Sequence, residues 1–199
     1  MTSNIEIINL TKLHNLDAEF ILIRNFLADS ALLMNDIINN ADFQQFFSHT
    51  NKPIPRLLDH YGHEYNYYKS HHPEKEIPDW LLDLKQDVEH VCNQAFNAIL
   101  LNFYPNENST ISWHSDNEQC LGVNPTIVSL SLGQTRMFCI RHKKTLTQHS
   151  FELNDNDLLI MGDKSQINYV HSVPKHQGKC KPRINITLRH IYDAKCCLQ

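Results

Sequence analysis

Arg183-Ile-Asn-Ile-Thr-Leu-Arg189 alternates polar and apolar residues over its whole length. A period of two is that of a strand, with Ile184, Ile186 and Leu188 on one face and Arg183, Asn185, Thr187 and Arg189 on the other. A water-facing edge strand would be served equally well by Lys, Glu or Ser. Two arginines in register instead suit a small dianion, because the guanidinium fork pairs bidentately with carboxylates. Upstream stand a lone His171 and, 55 residues before it, the end of His114-Ser-Asp116. On one strand, residues i and i+2 share a face, so His114 and Asp116 can reach one ion, with His171 as a third ligand from a distant strand. Two imidazoles and a carboxylate form the facial set that holds non-haem Fe(II) and leaves positions open for reactants. His-x-Asp alone is a weak signal in a chain with 13 histidines; the ordered set is far more specific.

Further segments fall in an order that resembles one family. Asn102-Phe-Tyr104 precedes the His-x-Asp, and Ser129-Leu-Ser-Leu-Gly133, Arg136-Met-Phe and Arg141-His-Lys143 follow it. Asp157-Leu-Leu-Ile-Met-Gly162 and His171-Ser-Val-Pro-Lys175 flank the third ligand, while Pro55-Arg56, Tyr61-Gly62 and Tyr65-Asn-Tyr67 lie upstream. Together they are similar to the AlkB family of Fe(II)- and 2-oxoglutarate-dependent dioxygenases over residues 18–192, the upstream group to its alkylated-DNA-repair members.

The resemblance implies a double-stranded β-helix, or jelly-roll, with helices supporting one outer face. It implies Fe(II) on His114, Asp116 and His171, with 2-oxoglutarate as cosubstrate and O2 as oxidant. Arg183 would pair with the distal carboxylate, helped by Tyr104; Asn102 and Arg189 would lie near the other end, and Asn185 would hold the pocket. The implied substrate is an N-alkylated base such as 1-methyladenine or 3-methylcytosine in DNA or RNA, restored with release of formaldehyde, succinate and CO2. A base must leave its stack to be reached. Tyr67 would sandwich it against His114, Tyr65 and the acidic Glu118 would line its pocket, Arg56 would contact the nucleotide backbone, and Phe46 or Phe47 would act as a wedge. A dioxygenase acting on RNA modifications or protein remains an alternative. So does a binding module without catalysis, although such a protein usually loses a ligand or a carboxylate-binding arginine, and all are present here.

The 199 residues are most simply one domain, residues 1–97 giving helical support and a nucleotide-recognition hairpin and residues 98–192 a jelly-roll core, an α+β fold. No apolar run reaches the length of a membrane span, and the start lacks a signal-peptide pattern, so an intracellular protein and a monomer are expected, in cytoplasm or nucleus. No C-x-x-C spacing occurs among the six cysteines, and the adjacent Cys196-Cys197 reads as a tail of free thiols, which suits a reducing compartment. The net charge of −4 hides an asymmetry: residues 1–135 balance to −10 and residues 136–199 to +6. The basic half can offer a phosphate-binding surface on an acidic chain.

Along the chain, Phe20 to Phe26 reads as a strand and Asp29 or Ser30 caps a helix to about Asn39. Residues 42–54 read as irregular and 56–68 as an extended, aromatic hairpin. Pro78 opens a helix running to about residue 98, with Trp80, Leu81, Leu84, Val88 and Val91 on its buried face. Eight short strands then follow, at 98–104, 109–114, 126–132, 136–142, 147–153, 157–161, 167–171 and 183–191, the count expected of a jelly-roll.

Overall fold

The computed structural model describes residues 5–48, 50–67 and 70–192, with the side chains of 66, 67, 70 and 71 outside the description. In chain order the elements begin with β1 (Glu6–Asn9), α1 (Leu10–His14), β2 (Phe20–Arg24), α2 (Ser30–Asn40), β3 (Gln44–Phe47) and β4 (Pro53–Gly62). Then come β5 (Tyr65–Tyr67), β6 (Ser70–His72), α3 (Asp79–Cys92), β7 (Ala98–Tyr104), β8 (Ile111–His114) and β9 (Ile127–Gly133). The last are β10 (Arg136–His142), β11 (Gln148–Leu153), β12 (Asp157–Met161), α4 (Ser165–Asn168), β13 (Tyr169–Val173) and β14 (Arg183–Arg189).

The strands after α3 divide between two antiparallel sheets. The large sheet runs β1-β2-β12-β9-β14-β7-β4-β3, the small one β11-β10-β13-β8, and β5-β6 is a separate hairpin. This mixed α and β architecture is consistent with the jelly-roll layout. The N-terminal half is more than helical support, because β1 to β4 extend the large sheet at both ends. Residues 44–47, expected to be irregular, form β3, which pairs with β4 through a register shift between Gln45 and Phe47.

Alternation sorts each strand of the large sheet between two cores. Val128, Leu130, Leu132, Leu158, Ile160, Ile184, Ile186 and Leu188 face outward onto Leu33 and Ile37 of α2 and Leu81, Leu84 and Val88 of α3. The other face looks at the small sheet, where Leu159, Met161, Ile127 and Tyr104 pack with Phe138, Ile140, Leu153, Tyr169 and Val173. Asp29 caps α2 by accepting from the Leu32 N–H, which satisfies one of the donors a helix start leaves open. Pro78 stands at the N-cap of α3, and the helix ends earlier than its apolar spacing suggests. Asn93 takes a left-handed conformation (φ 47°) and closes it at Cys92, so Val91 is 44% exposed rather than on the buried face. Gly62, at φ 90°, turns β4 towards the β5–β6 hairpin where an added Cβ would collide with the Asn97 carbonyl.

β14 is not an edge strand. It lies between β9 and β7 and all seven of its residues are buried, so its polar face points into the space between the sheets. That space is what places the site. Among the described residues no helix is long and apolar enough to cross a membrane. Cys92, Cys139 and Cys180 are free thiols, Cys120 is disulfide-bonded, against the expectation of free thiols, and Cys196 and Cys197 lie outside the described residues.

Candidate metal centre

His114 ends β8 and His171 is central in β13, and the two are paired directly across the small sheet. The next registered pair is Val173 with Ile111, so three steps along β8 match two along β13. This bulge changes the facing of β8, letting both Ile111 and His114 point inward while Trp113 packs under Arg141, 4.4 Å from its guanidinium. The His114 and His171 rings lie 4.2 Å apart at their centroids, and His171 stacks on Phe138. The Nδ1–H of His114 donates to the Ser112 carbonyl at 2.8 Å, which leaves the Nε2 lone pair for a ligand role.

Asp116 corrects the simplest strand argument. β8 stops at His114, so i and i+2 do not share a strand face. Tertiary bonds place the carboxylate instead. Its backbone N–H donates to Gln166 Oε1 on α4 at 3.0 Å, and its Oδ1 accepts from Arg189 at 3.0 Å. Lys143 ties the same loop down, donating to Ser115 Oγ and to the Gln166 carbonyl. The ligand atoms of His114, Asp116 and His171 come within 4.8 Å of one another, close enough to share one ion. Charge supports that role. Burial, then the neighbouring His114, holds His171 down to about 3, so it is neutral near pH 7. Burial pushes the Asp116 carboxyl up, but the charge and hydrogen bond of Arg189 together with the neighbouring His114 and His171 outweigh it and hold the group at about 2. Two neutral imidazoles and one carboxylate are therefore ready to bind without releasing protons.

The inner face of the large sheet presents its polar residues in rows, because paired strands put opposite residues on the same side. Arg183 is opposite Tyr104, Asn185 opposite Asn102, Thr187 opposite Leu100, and Arg189 opposite Ala98. Arg183 is 1% exposed, donates to Ser131 Oγ at 2.8 Å and lies 5.0 Å over the Tyr104 ring. Its Nε and NH1 have no hydrogen-bond partner. Asn185 donates to Ser129 Oγ and accepts from Thr187, and Asn102 Oδ1 accepts from Arg56 Nε at 2.8 Å. Arg56 thus reaches inward to the sheet, also donating to the Thr110 carbonyl, rather than standing out towards solvent. Arg189, at the far end of β14, is engaged with Asp116.

Beside Asp116 and Arg189, Glu118 and Tyr65 come together. Tyr65 is 3% exposed, hydrogen-bonds Glu118, and has Arg189 over its ring at 5.2 Å. Burial, then the Asp116 charge, raises Glu118 to about 7, and its Oε2 is buried without a partner. His60 stacks near Tyr65 and His72, buried and held neutral. The Tyr67 side chain lies outside the described residues. Phe46 packs on His72 at 4.6 Å, and Phe47 is 53% exposed. Gln166, Ser129, Ser131, Arg136 and His60 join the site without having been singled out as its members. Ser129 and Ser131, alternating within an apolar strand, carried the only legible hint.

The family model described as the 2OG-Fe(II) oxygenase superfamily matches residues 21–189. The chain belongs to that superfamily. Within it the similarity is AlkB-like. The chain is 39% identical over 150 residues to alpha-ketoglutarate-dependent dioxygenase alkB homolog 3 of Bos taurus, covering 69% of this chain and 52% of that one. It is 32% identical over 128 residues to DNA oxidative demethylase ALKBH2 of Bos taurus, covering 60% and 45%. The chain thus spans about half the length of these curated relatives. The solved structure of OsALKBH1 superposes with a TM-score of 0.69 at 18% identity, over 88% of this chain and 99% of that one, a likeness of fold. The residues present fit the superfamily's iron and 2-oxo acid: a facial His-Asp-His set, and a buried guanidinium with free N–H groups beside it.

Proposed function

We propose that the chain is an oxidative demethylase of N-alkylated nucleobases in DNA or RNA, dependent on Fe(II), 2-oxoglutarate and O2. The observation that carries this reading is that the space between the sheets holds, with the candidate ligand set, two unlike groups of buried polar side chains with unpartnered atoms. One has free guanidinium N–H groups at Arg183, suited to a carboxylate. The other has Tyr65 and the orphaned carboxyl oxygen of Glu118, suited to a base with N–H groups. The names of the relatives, an alpha-ketoglutarate-dependent dioxygenase and a DNA oxidative demethylase, point the same way.

When bound, iron, 2-oxoglutarate and O2 supply the oxidation of the N-methyl carbon, with succinate and CO2 as coproducts and formaldehyde leaving from the hydroxylated methyl. The protein's part is position. His114, Asp116 and His171 would hold the metal, and Arg189 and Gln166 fix the Asp116 segment. Arg183, Tyr104 and Asn185 orient the cosubstrate, with Asn102 held by Arg56. Tyr65 lies against the flipped base, and Glu118 faces its polar edge. Phe138, buried and stacked on His171, puts an apolar ring beside the ligand set, which helps keep water out.

The test is incubation with Fe(II), ascorbate, 2-oxoglutarate and an oligonucleotide carrying 1-methyladenine, read by mass spectrometry. Loss of one methyl mass that requires both iron and 2-oxoglutarate is expected. Succinate formation without repair of DNA or RNA bases would overturn the substrate and leave the dioxygenase chemistry.

A further inference from the structure

Arg136 opens β10, three residues past the Gly133 that ends β9, and is 2% exposed. Its NH2 donates to two backbone carbonyls, Ser109 at 2.7 Å and Pro174 at 2.6 Å. These belong to the loop before β8 and to the chain leaving β13, so the guanidinium closes one end of the space between the sheets. Its NH1 is buried and has no partner. The guanidinium lies 5.6 Å over the Tyr104 ring, the same ring that carries Arg183 at 5.0 Å.

Two buried guanidiniums therefore share one tyrosine, and among the described residues neither is paired with a carboxylate. Burying like charges side by side is costly unless an anion joins them. Burial, and after the Tyr104 interaction the nearness of Arg136, pushes on the Arg183 guanidinium, which sits below its ordinary range. The unpartnered nitrogens are Arg136 NH1, Arg183 Nε and Arg183 NH1. A carboxylate offers two oxygens with about four acceptor sites, enough for all of these donors. A neutral ligand end would leave both charges uncompensated.

We propose that Arg136 is the second cation of the pocket that takes the distal carboxylate of the 2-oxo acid, a positioning residue that acts beside Arg183 and through Tyr104. The inference rests on the cosubstrate reading above. It separates Arg136 from a plain structural clamp on Ser109 and Pro174. A clamp would shape the pocket equally for every 2-oxo acid. A charge aimed at the distal end matters only for acids that carry a carboxylate there.

The experiment is anaerobic titration of the Fe(II)-loaded protein with 2-oxoglutarate and, separately, with 2-oxopentanoate, which lacks the distal carboxylate. Binding is read from the visible charge-transfer band of the iron chelate. For Arg136→Gln, the Kd for 2-oxoglutarate is expected to rise about ten-fold or more, while that for 2-oxopentanoate changes less than about two-fold. Arg136→Lys keeps the charge and should fall between, restoring part of the preference. Should Arg136→Gln fail to fold, the Lys variant carries the same comparison, since it loses the fork but not the charge. Equal weakening of both acids, or an unchanged ratio in a folded variant, would overturn the proposal. A wild-type protein that gives no band with either acid would overturn the cosubstrate reading, and this proposal with it.

Discussion

Arg189 NH2 holds Asp116 Oδ1 at 3.0 Å, joining the last residue of the central strand to a carboxylate that no strand carries. The bond keeps Asp116 ionised in a site where burial alone would raise its pKa. It also leaves Oδ2 on the side of His171, 3.9 Å from Nε2. Arg189→Met should therefore weaken metal binding about 10–100-fold, the range seen when a ligand loses its supporting partner. Competition titration with a chromophoric chelator measures it; unchanged affinity would remove Arg189 from that role.

His171→Ala should abolish turnover and lower metal affinity by more than about 100-fold, since a ligand itself is lost rather than its support. The far-UV circular dichroism should stay that of the wild type, because the ring fills space beside Phe138 without tying strands together. Retained activity would overturn the metal assignment.

Gln166→Leu removes the acceptor of the Asp116 N–H. An unpaired buried donor costs about 1–3 kcal/mol, and the loop carrying the ligand loses its register. Thermal unfolding and metal titration should both report the loss, with Gln166→Glu closer to the wild type. A variant as stable and as tightly metallated as the wild type would show that Gln166 does not set the loop.

His60 gives a pH test away from the ligands. Burial, then the charges of His72 and Arg189, lowers it from 6.5 to about 3. The unfolded chain takes up this proton first as pH falls, so the stability it contributes is present above 6.5 and is lost between there and about 3. Denaturant unfolding between pH 6 and 4 should show a slope smaller by about 1.4 kcal/mol per pH unit in His60→Phe than in the wild type. Equal slopes would mean that His60 titrates normally.

The candidate ligands could be singled out because chemistry is written in residue type. His114, Asp116, His171 and the Arg183–Arg189 run needed no coordinates to be singled out. The eight C-terminal strands were legible for a different reason. They are short runs, some alternating like Arg183–Arg189 and others continuously apolar like Asp157–Met161, as strands between two cores are, and the boundaries fall within a few residues of those observed. The errors arose where tertiary contacts outvote local pattern. Residues 44–47 carry no clear strand signal yet pair with β4, because a partner edge was available. The helix after Pro78 stops at Cys92 because Asn93 adopts a left-handed cap, not because its apolar spacing ends.

The basic run Arg141-His-Lys-Lys144 shows the same limit. From charge alone it suits a phosphate-binding surface or a solvated charged face equally. In the fold Arg141 lies over Trp113 and Lys143 is spent on Ser115 and Gln166, so two of its charges hold the ligand loop in place.

The sequence by itself determined the set of chemical groups and the two periodicities, because side-chain chemistry and alternation are local properties. Only the tertiary structure decided which groups meet. The bulge that faces His114 inward, the Gln166 and Arg189 bonds that place Asp116, and the pairing of Arg136 with Arg183 over Tyr104 all join residues distant in the chain. Such contacts are chosen by packing two sheets against each other and by satisfying the polar groups buried between them, and no local pattern encodes that choice.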